Sequence, residues 1–384
     1  MAKYKTPGVY VEEMPGIPHA IAQEPTSVAV FIGYTENIID SDGNDIIFKP
    51  CLVKSFANFT TIFGNNPGAG YLYDAVFLFY KNGGETSYII SAGSQNDTAS
   101  LQTLSTCLNV SKQVPAQLLV IPDGCLLQAH DLSLLQQDML QCCADLQDRF
   151  AILDTPMPST DLVIDIENFR TGIGNVNLQW GAAYYPSLII QNNKAVPPSG
   201  AIAGIFAQTD KRRGVWKAPA NISVNAIHSL TVSINDSQQE GMNVHVAGGK
   251  SVNAIRLFTG RGILVWGART LAGIDNEWRY ISVRRFVMNI EQSISKSTLW
   301  VVFEPNDANT WVKLNTVISN YLVQQWRSGA LQGSKPEEAF FVKTGLGTTM
   351  VAADIASGIM ITEIGLATVR PAEFIIIRLR YKMP

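Results

Sequence analysis

The sequence is short of charge. Asp, Glu, Lys and Arg make up 16% of its 384 residues and 46% are hydrophobic, against a usual charged share of about 25%. Little charge with much apolar surface fits large packed interfaces, although one large core would do the same. The 29 basic and 32 acidic residues leave a net charge of −3, which gives no basis for direct contact with nucleic acid or with a membrane. Long hydrophobic runs are missing too: none approaches the ~18 residues that span a bilayer. Met1-Ala2-Lys3-Tyr4-Lys5 leads into Pro7-Gly8 rather than an apolar stretch, so no secretory signal is expected. The five cysteines (Cys51, Cys107, Cys125, Cys142, Cys143) are scattered without CxxC spacing. Reduced, buried thiols in a cytoplasmic protein are the expectation.

Recognisable catalytic chemistry is also missing. Gly249-Lys250-Ser251 resembles the end of a phosphate loop, but Val244 stands where the first glycine is required, so a surface turn is expected. Gly260-Arg261-Gly262 lacks the third glycine of a dinucleotide fingerprint, because Val265 occupies its place. Residues 40–45 (Asp-Ser-Asp-Gly-Asn-Asp) fail as a calcium loop, with Asp45 at the sixth position and Cys51 at the twelfth; a polar hairpin turn is expected. The four histidines (His19, His130, His228, His245) lie far apart, none with a partner at metal-ligand spacing on one helix. Cys125 with His130 remains open as a dyad, with no known signature around it. Two strands end in Asp123 and Asp154, where an open α/β enzyme would bind a ligand, yet no Gly-rich loop accompanies them.

What is present begins at the two ends. Lys5-Thr6-Pro7-Gly8-Val9-Tyr10-Val11-Glu12-Glu13 and Phe374-Ile375-Ile376-Ile377-Arg378-Leu379-Arg380-Tyr381 both read as strands set off from the body, by the hinge Pro15-Gly16 and by Pro371. A strand at a free terminus needs a sheet edge to pair with, and that edge can belong to another copy. Between them, 384 residues exceed what one core usually serves, so two domains are expected. Strand and helix signals alternate from residue 71 to 155, with strands at 87–90, 117–123 and 150–154 and helices at 71–80, 100–108 and 132–146, which argues for an α/β sheet. A short helix is expected at 201–208. Val283, Phe286, Val287, Ile290 and Ile294 recur with helical spacing. Residues 299–303 read as a strand, and Asn306 or Asp307 caps a helix ended by Gly329. Phe286, Trp266, Trp311 and Trp326 are expected mainly as core.

Several motifs carry more than this. The opening Tyr4 to Glu13 resembles that of contractile tail sheath proteins. The similarity continues through Pro197-Pro198-Ser199-Gly200, Asp210 to Asn221, Asn253-Ala254-Ile255-Arg256, Gly260 to Leu271, Trp278 to Arg285, Phe303 to Asp307, Pro336 to Val342 and Val369 to Phe374. It covers both ends and nearly all of the second half; residues 35 to 180 are not distinctive.

The resemblance implies a structural subunit, with no enzyme activity and no cofactor, stacked helically around an inner tube. The sheath is assembled in a metastable state on a baseplate and, when triggered, shortens and widens to drive the tube through a target envelope. Implied partners are other copies of the chain, the inner tube protein, baseplate and terminal cap proteins, and in some systems a paralogous sheath protein. Assembly is implied in the bacterial cytoplasm, within a phage-tail-like particle that is released or membrane-anchored. The expected fold is mixed α/β. Residues 1–26 form the N-terminal arm and linker, 27–255 an outer variable α/β domain, 256–368 a tube-facing core domain and 369–384 the C-terminal arm. The resemblance further implies that Pro7, Gly8, Val9, Tyr10, Val11, Phe374, Ile375, Ile376, Ile377 and Leu379 sit in arms donated to neighbours, completing a shared sheet. Arg279, Arg284 and Arg285 are candidates for ion pairs between subunits, with pairing to Glu277, Glu291 and Glu304 inside the domain as the alternative. An injection-system sheath is favoured over a conventional phage tail, and a type VI sheath, divided between two proteins, is less expected. A cytoplasmic α/β enzyme is the alternative of a different class.

Overall fold

A computed structural model describes residues 20–157, 161–244, 248–369 and 375–382. The expected N-terminal arm (Pro7 to Val11), its hinge Pro15-Gly16, and Pro371 and Phe374 lie outside the described residues, as do the side chains of Ile375 and Ile376.

Strand β1 (Ala29–Thr35) is buried along its whole length, as a near-continuous apolar run predicts for a strand covered on both faces. It is followed by β2 (Pro50–Val53), α1 (Phe56–Phe63), α2 (Leu72–Lys81), β3 (Ser87–Ser94) and α3 (Leu101–Ser111). Then come β4 (Leu118–Val120), α4 (Ala129–Leu146), β5 (Phe150–Asp154), α5 (Leu162–Gly172) and β6 (Gly181–Tyr185). Short β7 (Leu188–Ile189) and β8 (Ala195–Val196) precede α6 (Ser199–Arg213), β9 (Ile222–Ser223), β10 (Ser229–Leu230), α7 (Asp236–Asn243), β11 (Val252–Phe258) and β12 (Gly262–Val265). The large sheet runs β2-β3-β1-β4-β5-β6-β11-β12-β9. It is parallel from β3 to β11 and antiparallel at β2, β12 and β9. A small second sheet orders β10-β7-β8.

Helix α6 is buried over most of its length, so it shows no single apolar stripe. It lies against α2 at a separation only glycine allows. A Cβ on Gly200 would stand 2.3 Å from the carbonyl oxygen of Ala75, and one on Gly204 2.4 Å from that of Phe79. The four-residue spacing puts both glycines on one helix face. Gly204→Ala is therefore expected to cost about 1–3 kcal/mol by forcing the helices apart, read as a lower urea midpoint; an unchanged midpoint would show that the contact relaxes freely.

After β12 the chain builds a second core from α8 (Ile281–Ser297), α9 (Ala308–Arg327), the short α10 (Pro336–Ala339), β13 (Phe340–Thr344), α11 (Ala352–Ala356), β14 (Ile359–Leu366) and β15 (Ile375–Lys382). The predicted stripe Val283, Phe286, Val287, Ile290 and Ile294 on α8 faces Leu314, Ile318 and Leu322 of α9 and the inner face of the sheet β13-β14-β15. Trp311 and Trp326 pack at the margin of this core, while Trp266 stacks instead on Phe258 in the large sheet's half. Asp307 caps α9 by accepting the Thr310 amide at 3.0 Å.

Three readings of the sequence need correcting. Residues 299–303 are a 3₁₀ turn, not a strand: Val301 is buried while Leu299 and Phe303 face outward. In a strand all three would share one face. A short apolar run does not by itself distinguish the two, and among the described residues no strand pairs with it. Lys250 and Ser251 are buried, not in a surface turn. The Lys250 ammonium donates to the Arg170 carbonyl, and the Arg170 guanidinium returns bonds to the carbonyls of Lys250 (3.2 Å), Gly241 (2.8 Å) and Met242 (2.9 Å). Finally, a boundary at 255/256 would cut β11, which with β12 belongs to the large sheet; the second core starts at α8.

Candidate functional site

Of the residues singled out from sequence, those described lie at two places, the C-terminal sheet and the region around the start of α8. In the sheet β14 is central. It pairs antiparallel with β13 from Phe340↔Leu366 to Thr344↔Thr362, and with β15 from Leu366↔Ile375 to Ile359↔Lys382. Along β14, Met360, Thr362 and Ile364 point inward, opposite Tyr381, Leu379 and Ile377. The Tyr381 hydroxyl and Thr298 Oγ1 lie 2.8 Å apart, fixing the strand to the end of α8. Arg378 pairs with Glu363 across the ladder at 2.9 Å. The strand expected from Ile375, Ile376, Ile377 and Leu379 is formed, and in the isolated chain its partner is the chain's own β14. Residues 370–374, which join the two, lie outside the described residues. β15 is held both by main-chain pairing along β14 and by Ile377 and Tyr381, which are buried in the second core.

Near the start of α8, Arg285 is fully buried. Its guanidinium forks onto Asp210 of α6 at 2.6 and 3.0 Å, donates to the Thr26 carbonyl at 2.8 Å, and lies 4.7 Å from the Phe206 ring centroid. Arg284, its neighbour, is held between two indoles, 4.0 Å from the Trp180 ring and 4.3 Å from Trp278, and pairs with Glu291 at 3.2 Å. Burial lowers the Arg284 pKa and raises that of Glu291, each opposed by the other's charge. Both guanidinium groups are thus engaged within the chain. Arg279 stacks on Tyr280 and donates to Asn276 at 3.3 Å. Trp180 and Asp210 were missed as partners because both lie far from α8 in sequence; only the packing of the two cores brings them there.

Asp154 ends β5, whereas β4 stops at Val120 and Asp123 lies in the 3₁₀ turn after it; both act as braces. Asp123 is completely buried and accepts the amides of Tyr34 (2.7 Å), Leu72 (3.1 Å) and Tyr71, tying the end of β1 to the start of α2. Asp154 accepts the Ser199 amide at 2.9 Å, at the start of α6. Burial pushes Asp123 up to about 6 against its three amides, and Asp154 up to about 7 against its bond to Ser199. The folded chain therefore holds a proton on Asp154 that an unfolded chain releases near pH 4. Its stability contribution falls as pH rises from about 4 to about 7. Asp154→Asn is expected to flatten that part of the urea-midpoint profile between pH 5 and 8, and to leave the variant no less stable than the wild type at pH 8. An unaltered slope would rule out a titrating Asp154.

A family model described as the phage tail sheath protein central domain matches residues 85–271, and one described as the phage tail sheath C-terminal domain matches 274–382. The two abut just ahead of α8. The tail sheath protein of Enterobacteria phage T4 is 24% identical over 210 residues, covering 51% of this chain and 31% of that protein. The chain thus spans less than a third of the length of the curated phage relatives it matches. Among solved structures, the contracted sheath complex of the extracellular contractile injection system PVC aligns with a TM-score of 0.77 and 30% identity, over 99% of this chain and 98% of that one. The contracted helical sheath of the anti-feeding prophage aligns with a TM-score of 0.75 and 32% identity, over 98% and 99%.

Proposed function

This chain belongs to the phage tail sheath family, and from that premise we propose that it is the sheath subunit of a contractile injection system. It polymerises helically around an inner tube, and its contraction drives that tube through a target envelope. One observation carries the choice. The chain matches sheath chains of two injection systems nearly end to end, whereas it spans under a third of the phage tail sheath proteins. The conventional phage tail is the second reading, supported by the family models and the curated relatives.

In this reading the outer α/β domain and the tube-facing core are the two cores that meet along α8. The arms around Pro7 to Val11 and Phe374 to Leu379 couple neighbouring copies, hinged at Pro15-Gly16 and at Pro371. Strand pairing suits such a coupling because main-chain bonds hold it whatever the side chains, and alternate side chains set the register. Contraction then needs no nucleotide and no catalytic step: a metastable lattice moves to one that buries more surface, multiplied over many subunits. The inner tube, baseplate and terminal cap are the further partners. Among the described residues no helix is long and apolar enough to cross a membrane.

Negative-stain microscopy of the purified protein, alone and with the products of neighbouring genes, tests the reading. Tubes or rings are expected. A monodisperse small oligomer that turns over a substrate would replace it with an enzyme.

A further inference from the structure

Residues 20–28 form no helix and no strand, so their backbone groups must find partners elsewhere. Val28 finds them at Gln117 and Leu118, and Ala22, Glu24 and Thr26 find them on one face of α8. The Ala22 amide donates to Ser297 Oγ at 3.1 Å and the Glu24 amide to Ser293 Oγ at 3.0 Å. Asn289 donates to the Glu24 carbonyl at 2.9 Å and Arg285 to the Thr26 carbonyl at 2.8 Å. The four rungs on the helix, 285, 289, 293 and 297, are spaced by four residues. Ala22, Glu24 and Thr26 serve the four rungs between them, Glu24 taking two through its amide and its carbonyl, so the strap runs antiparallel to the helix and leaves beside Ser297. Lys296 adds an ion pair to Glu24 at 2.6 Å, and Ile21 packs on the second core.

We propose that this strap is the fixed root of the N-terminal arm, the place where a pull on the arm enters the body. The proposal rests on the sheath reading for the source of the pull. Two features fit a root and not a hinge. The bonds are to the strap's backbone, so they lie side by side along the helix and share a load directed along it. The last rung, Arg285, also grips Asp210 of α6, so strap, second core and first core meet at one buried guanidinium. A pull on the arm is delivered to both cores at once.

The test uses the full chain and Ser293→Ala/Ser297→Ala, which removes two hydroxyls without adding volume. Amide exchange at Ala22 and Glu24 is expected to speed up at least about ten-fold, while α8 amides stay protected. Triggered tubes of the variant are expected to lose complete contraction. Unchanged exchange, or faster exchange with complete contraction, overturns the proposal. If α8 loses protection as well, Lys296→Gln, which removes only the exposed pair, replaces the double variant. A smaller acceleration at Glu24 is then expected, and none overturns the root. A wild-type chain that forms no tubes defeats the sheath reading instead, and the exchange rates still decide whether the ladder holds the strap.

Discussion

Deleting residues 1–13 is expected to abolish polymer formation while leaving a folded body. The first core draws its buried residues from Ala29 onward, and the second is built around α8, α9 and β13–β15. Among the described residues, the first bond that ties the N-terminal side to α8 is made by Ala22, beyond the deletion. Thermal unfolding of the truncated chain is therefore expected to match that of the full chain. If Val9, Tyr10 and Val11 supply a strand to a neighbour, their loss removes a row of intersubunit main-chain bonds from every subunit. The expected effect is all-or-none, because a helical polymer multiplies each missing contact along its length. Microscopy and sedimentation of both chains check it. Normal tubes from the truncated chain would count decisively against strand donation by the N-terminal arm.

The largest loss of stability is expected from Asp210→Ala. Arg285 is only 1% exposed and Asp210 4%, so removal of the carboxylate leaves a guanidinium in the interior with one carbonyl partner, that of Thr26. Breaking a buried pair in this way costs about 3–5 kcal/mol. The comparison that identifies the cause is Asp210→Leu/Arg285→Met, which fills similar volume and leaves no stranded charge. It is expected to cost less than Asp210→Ala alone, although Thr26 loses its donor. Urea denaturation of the three proteins measures the order, and a double variant worse than the single one would mean that the pair does more than neutralise itself.

Local signals were easiest to read where one segment settles its own structure. The strand Phe150–Asp154 coincides with its apolar run, and α8 follows from the recurrence of Val283, Phe286, Val287, Ile290 and Ile294. The cap at Asp307 is a matter of one side chain and the turn after it. The reading failed where a partner decides. Residues 299–303 have strand composition, but strands need a paired neighbour and none of the described strands pairs with this segment. Lys250 sits in a glycine-rich stretch that looks exposed, and is buried because Arg170, distant in sequence, closes over it. The polar positions 285, 289, 293 and 297 are visible in the sequence as a helical row. Nothing there says that residues 22 to 26 lie across them.

The sequence alone determined the class of the protein, its mixed α/β make-up and the presence of a strand at the C-terminal end. These depend on short-range periodicity, turn chemistry and a set of ordered motifs, all of which are carried by neighbouring residues. Tertiary structure decided which charges meet, where one core ends and the other begins, and what holds the N-terminal strap. Those outcomes depend on contacts between residues far apart in sequence, 75 positions for Asp210 with Arg285 and more than two hundred for Thr26 with Arg285 and Glu24 with Ser293. Bringing such residues together costs chain entropy that only the burial of whole cores offsets, so no local pattern records them.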